Sequence, residues 1–166
     1  YMVDVSSGAT LYNRDGNRRI PTASMAKMMT AWVAFEAIKA GKLKPDQKFT
    51  VSKNAWSNWN NQGSTMFLKA GEQVSVDNLL HGILTLSGND ASVVLAEGMA
   101  GSEPAFAERM NGEARILGMK DSRFGNANGW PDEGKTYSTA RDLSTIAEHI
   151  IARHPVLFKS YFSQSS

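Results

Sequence analysis

The sequence predicts a mixed α/β chain of the α+β kind, mostly helical with a pair of strands in front. Three observations predict it. Tyr1-Met2-Val3-Asp4-Val5 alternates loosely, turns at Ser6-Ser7-Gly8 and returns over Ala9 to Tyr12, the pattern of a hairpin. From about residue 24 to residue 154, apolar residues recur at helical spacing between capping residues and glycine or proline stops. No repeat, low-complexity tract or internal linker divides the 166 residues, which are enough for one sizeable core.

The elements follow in order. Asn13 to Arg19 is a polar connector with a turn at Asp15-Gly16. It delivers the chain to Pro21-Thr22, residues that favour a helix start, and a helix carrying Met28, Met29, Trp32, Val33, Phe35 and Ile38 that stops at Gly41. Lys42 to Asp46 bridges to a strand-like Phe49-Thr50-Val51. Ala55 to Gly63 shows no clear period and is expected to be a loop, its two tryptophans buried beneath it. Val76 to Leu86 places Leu79, Leu80, Ile83 and Leu84 on a helix that ends at Ser87-Gly88-Asn89. Asp90 is then expected to cap a helix over Ala91–Ala100, and Ser102 another from about Glu103 to Leu117. Asn126 to Gly134 reads as a turn-rich loop, and Ser138 or Thr139 caps a last helix through about Arg153, stopped by Pro155. Val156 to Phe162 resembles the beginning of a further element.

Composition excludes several classes. Lys and Arg number 18 against 16 Asp and Glu, too balanced a charge to argue for nucleic acid or an anionic membrane. The longest nearly apolar run, Met28 to Ile38, is interrupted by Thr30 and Glu36 and is short of the roughly 20 residues of a membrane span. The absence of cysteine excludes thiol chemistry and disulfides, and no paired histidine spacing suggests a metal, so neither metal nor cofactor is expected. Asp and Glu are scattered, with no pair placed for glycosidase chemistry. Tyr1 already reads as strand, so any signal peptide is expected to have been removed.

Ser24 and Lys27 stand three residues apart in the first turn of the first helix, where side chains at that spacing can meet. A serine hydroxyl becomes a nucleophile when a nearby base takes its proton. A lysine is such a base if burial and the positive helix N-terminus lower its pKa. Taken alone, the spacing fits better a capping serine beside a solvated lysine. Ser87-Gly88-Asn89, in a tight loop between two helices, is expected to point two short polar side chains outward. Alone it fits a simple connector.

Together the two segments resemble those of the penicillin-recognising serine acyltransferases, and most closely the low-molecular-mass D-alanyl-D-alanine carboxypeptidases. The resemblance runs in order through Pro21 to Ala31, Gly63 to Leu68, Leu86 to Ala91, Asn128 to Pro131 and Tyr137 to Asp142. It implies the β-lactamase/DD-peptidase-like fold. It also implies Ser24 as nucleophile on the penultimate D-alanine carbonyl, Lys27 as general base, Ser87 as proton relay to the leaving amine and Asn89 as holder of a substrate amide. The substrate implied is a peptidoglycan stem peptide ending in D-alanyl-D-alanine, with β-lactams as its mimics and a periplasmic or other extracytoplasmic location. The family's third motif, Lys-Thr-Gly, is missing, since Lys135-Thr136 is followed by Tyr137 and reads as a surface loop. Residues 1–166 are therefore expected to be the N-terminal portion of one catalytic domain. The C-terminal sheet strands would lie beyond Phe158 to Ser166, and any membrane anchor outside this chain. Without them the chain is expected to be inactive unless the remainder exists.

Two rivals stay open. A class A β-lactamase needs a deacylating glutamate with asparagine four residues on, which no glutamate here has. A non-catalytic β-lactam-sensing or wall-binding module would use the same pocket and acylate at most once. His81 is expected to be structural, and His149 and His154 to sit as cations at a helix C-terminus.

Overall fold

The computed structural model describes residues 22–162, apart from the side chains of Thr22 and Ser24. The expected hairpin over Tyr1–Tyr12 and its connector lie outside the described residues. Within them are seven helices and one antiparallel strand pair. The helices are α1 (Thr22–Lys39), α2 (Lys53–Trp59), α3 (Val76–Leu86), α4 (Asn89–Ala100), α5 (Glu103–Ile116), α6 (Ala140–Arg153) and α7 (Pro155–Phe162). The strands are β1 (Lys48–Thr50) and β2 (Gln73–Ser75).

α1 is the hub because it is apolar on every side. Met25, Ala26, Met29, Ala31, Trp32, Val33, Ala34 and Phe35 are all buried, and a helix without a polar face must be surrounded. α3, α4, α5 and α6 pack around it. The helix ends where Gly41 takes the left-handed φ of +75°, with Ala37 O accepting from Lys42 N at 2.9 Å. Each fully buried large side chain of this core contributes about 1.5–3 kcal/mol. The predicted helices over Val76–Leu86, Glu103 onward and through Arg153 are present, with Ser75, Ser102 and Thr139 accepting at their N-termini.

The strands pair with each other, Phe49 opposite Val74, and β1 lies on α4. A Cβ at Gly98 of α4 would run into the Phe49 ring, so glycine permits that approach. Three-residue strands carry too little alternation to announce this pairing. Although a loop was expected from Ala55 onward, Lys53–Trp59 is helical. Ser52 caps it, accepting from Ala55 N at 2.9 Å, and its hydroxyl donates to Glu97 of α4 at 2.8 Å. Only Ala55 of α2 is buried, which explains the missing period, and Trp56 is 41% exposed rather than buried. The tail Val156–Phe162 belongs to α7, whose Tyr161 packs on Phe35 and donates to Asp77 at 2.6 Å.

His154 corrects a second expectation. It is buried against Trp32 and Phe35, its Nε2 2.6 Å from Glu36 Oε2. Burial lowers its pKa and outweighs the opposing pull of Glu36. The unfolded chain then takes up a proton that the folded chain resists, so stability should fall as pH drops below the ordinary histidine value of about 6.5. The melting temperature is expected to decline from pH 7.5 to pH 5. His154→Gln, which keeps a nitrogen near Glu36, should flatten that stretch of the curve.

Candidate active site

Lys27 lies one turn along α1 from Ser24, and it is only 8% exposed. Its Nζ donates to Asn89 Oδ1 at 3.0 Å. Burial among apolar neighbours disfavours the ammonium form and lowers the pKa. The position near the positive end of α1 acts in the same direction. A lysine so placed can shed its proton and take another. The Ser24 side chain lies outside the described residues, but its backbone is in the first turn of α1, three residues before Lys27 and on the same face.

Ser87 and Asn89 come to this lysine through a sharp turn. Ser87 closes α3 in the left-handed conformation at φ +53°, its N–H donating to Gly82 O. The turn presents Ser87 outward, as expected, but sends Asn89 inward as the first residue of α4, 5% exposed. Asn89 is engaged at several points. Its side-chain nitrogen donates to Gln62 O at 3.0 Å, and its backbone N–H donates to Ser64 O at 2.8 Å. Asp90 does not cap α4, whose N-cap is Gly88 without a side-chain bond. Its buried carboxyl instead accepts from Met66 N at 3.0 Å and Leu68 N at 3.1 Å.

Lys27, Ser64, Ser87, Asn89, Asn128 and Trp130 line a pocket of about 270 Å³. Three of these, Ser64, Asn128 and Trp130, were not singled out as site residues from sequence. Asn128 is fully buried. Its Oδ1 accepts from Trp130 N at 2.9 Å, and its Nδ2 reaches Asn89 O at 3.5 Å. Asn126 fixes the same loop by accepting from Gly129 N at 2.7 Å and donating to Trp130 O at 2.9 Å. Thr30 of α1 donates to Ala127 O at 2.9 Å, so the loop is tied to the helix that bears Lys27. The signal in sequence was a tryptophan set among asparagine, glycine and proline, residues that build rigid turns. Trp130 is walled on its other side by Trp59, with ring centroids 5.4 Å apart.

A hollow of about 360 Å³ beside Met66, His81 and Leu86 is larger but is lined by none of Lys27, Ser87 and Asn89. Among the described residues no group of His, Cys, Asp and Glu is placed to hold a metal ion. A buried lysine with a lowered pKa one turn from a serine, with a second hydroxyl on the same pocket, can support nucleophilic attack on a carbonyl and proton return to a leaving group.

The sequence model of the D-alanyl-D-alanine carboxypeptidase family matches residues 1–166. The chain belongs to that family. D-alanyl-D-alanine carboxypeptidase DacF of Bacillus subtilis is 40% identical over 150 residues, covering 90% of this chain and 38% of that protein. The crystal structure of the carboxypeptidase DacD from Francisella tularensis matches with a TM-score of 0.81 and 40% identity, over 90% of this chain and 35% of that one. Penicillin-binding protein D2 of Listeria monocytogenes, solved with ampicillin bound, matches with a TM-score of 0.73 and 28% identity, over 87% of this chain and 57% of that one. The fold is thus the DD-peptidase fold of the penicillin-binding proteins, and the chain spans less than two-fifths of its DacF relative.

In this chain the Lys135-Thr136 pair is not among the pocket-lining residues. Lys135 is exposed, whereas Thr136 is buried and accepts from Gly125 N at 2.9 Å, so the pair is a structural turn. Tyr137 beside it bridges to Arg123.

Proposed function

We propose that this chain carries the nucleophile and proton-transfer groups of a serine D-alanyl-D-alanine carboxypeptidase. The observation that supports the reading best is Lys27, buried on the pocket, its ammonium form disfavoured, one turn from Ser24 on a shared helix face. Lys27 Nζ takes the Ser24 hydroxyl proton as Oγ bonds to the penultimate D-alanine carbonyl carbon. The oxyanion meets backbone N–H groups of the first turn of α1, which have no partner within the helix. The C–N bond breaks as the proton passes through Ser87 to the departing D-alanine amine. Water then attacks the ester, and the Ser24 hydroxyl is restored. Asn89 keeps Lys27 in place and borders the substrate.

The substrate class is a peptidoglycan stem peptide ending in D-alanyl-D-alanine, and a β-lactam offers Ser24 a similar carbonyl. Ampicillin in the related Listeria protein is consistent with the second ligand class. Such a substrate places the protein outside the cytoplasmic membrane. Among the described residues, no helix is long and apolar enough to cross a membrane.

The test is release of D-alanine from a peptide with this terminus by the protein as its gene encodes it. Repeated turnover, lost in Ser24→Ala, is the expected result. A single equivalent followed by silence would assign a sensing module instead, and no release at all would overturn the reading.

A further inference from the structure

The segment from Gln62 to Leu68 lies against Asn89. Gln62 O holds the nitrogen end of the Asn89 amide at 3.0 Å, which leaves the oxygen end for Lys27 Nζ, also at 3.0 Å. Ser64 O holds the Asn89 backbone at 2.8 Å. At Gly63, where φ is +63°, an added Cβ would stand 2.7 Å from Asn89 Nδ2 and 3.0 Å from the Trp130 ring. The segment approaches as closely as glycine permits.

Asp90 fastens the far end of this segment. It is 3% exposed, and its two oxygens receive Met66 N at 3.0 Å and Leu68 N at 3.1 Å, the first also receiving Ala91 N at 2.8 Å. Between the two clamped amides stands Phe67, at φ +57° and 78% exposed. The left-handed region is unfavourable for a bulky residue, and an exposed ring gains little packing to offset it. The shape therefore depends on the clamp.

The geometry points to Asp90 as a positioning residue for Lys27. By clamping Met66 and Leu68 it holds Gln62–Ser64 against Asn89, and so fixes which end of the Asn89 amide faces the lysine. The inference rests on the proposed role of Lys27 as base. Asp90 itself does not line the pocket.

Asp90→Asn keeps the shape but turns an NH2 group toward one of the three backbone donors, which releases the segment. Lys27 is read directly, by competitive labelling with a small amine-acylating reagent across pH and peptide mass spectrometry. When the Asn89 oxygen no longer faces Nζ, burial acts without that opposition, and the Lys27 midpoint is expected about one pH unit lower. Ser24 acylation by a labelled penicillin should fall about tenfold through misplacement of the base. Phe67→Gly removes the left-handed penalty; alone it should leave both readouts near the parent, and added to Asp90→Asn it should restore most of the loss. Gly63→Ala, with Asp90 intact, pushes Asn89 from the other side and is expected to move the midpoint the same way.

A lower melting temperature with an unmoved Lys27 midpoint and no rescue by Phe67→Gly would overturn the inference. If Asp90→Asn does not fold, an unmoved midpoint in Gly63→Ala overturns it. Labelling of Lys27 needs no Ser24 chemistry. A parent protein that never acylates would thus sink the proposed function while this test still reports.

Discussion

Lys27→Met is expected to slow acylation of Ser24 by a labelled penicillin about 10²–10⁴-fold, the range a positioned general base supplies. Methionine nearly matches the lysine stem in length and apolar character, so the surrounding core has little reason to rearrange. The same change should leave the melting temperature at neutral pH level or higher. Lys27 is buried and its pKa is lowered. In the folded chain it therefore holds fewer protons than in the unfolded chain between its lowered pKa and its ordinary value of about 10.4. Stability from this group rises with pH, and its cost is present at neutrality and vanishes only above that value. Removing the amine removes that cost, although the Asn89 oxygen loses its donor. Less activity with no loss of stability is the signature of a group retained for chemistry. Thermal melts and acylation kinetics on one preparation would read both.

Asn89→Asp should give an effect of similar size with a different pH signature. The substitution is nearly isosteric, but it sets a carboxylate 3.0 Å from Lys27 Nζ where a neutral amide oxygen stood. An opposite charge at that distance favours the ammonium form by about 1–3 pH units. The reaction needs the free amine, so acylation at neutral pH should fall about 10–10³-fold and return as pH rises. The replaced nitrogen also leaves Gln62 O facing an oxygen, which adds a pH-independent part to the loss. A rising limb displaced to higher pH is the expected profile. The same profile shape with a uniformly lower rate would show that Asn89 matters for shape and not for the charge state of Lys27.

The site was legible where it is local in the chain. Ser24 and Lys27 share a helix turn, and Ser87 and Asn89 stand two residues apart across one sharp turn, so the chain itself places each pair close along the backbone before any tertiary fold is known. The joining of the pairs was not legible from spacing. It depends on α1 and α4 crossing so that Lys27 meets Asn89 across 62 positions of chain. The carbonyls of Gln62 and Ser64, which hold Asn89, carry no side-chain signature. Asp90 read as a cap because Asp is favoured at a helix N-cap, yet tertiary contact with Met66 and Leu68 claims it. His154 was read from the helix dipole, but its burial against Trp32 and Phe35 lowers its pKa. The strong helices declared themselves through caps and apolar period. Of the short ones, with one buried residue each, α2 did not, and α7 was legible only as the start of an element of unstated kind.

The most direct measurement is the intact mass of the protein, as its gene encodes it, before and after incubation with a labelled penicillin, followed by peptide mapping. A single covalent adduct on Ser24, absent in Ser24→Ala and strongly slowed in Lys27→Met, is the predicted result. A protein that stays unmodified, or takes the label on a residue outside the Lys27–Ser87–Asn89 pocket, would contradict the assignment of Ser24 and Lys27 as nucleophile and base.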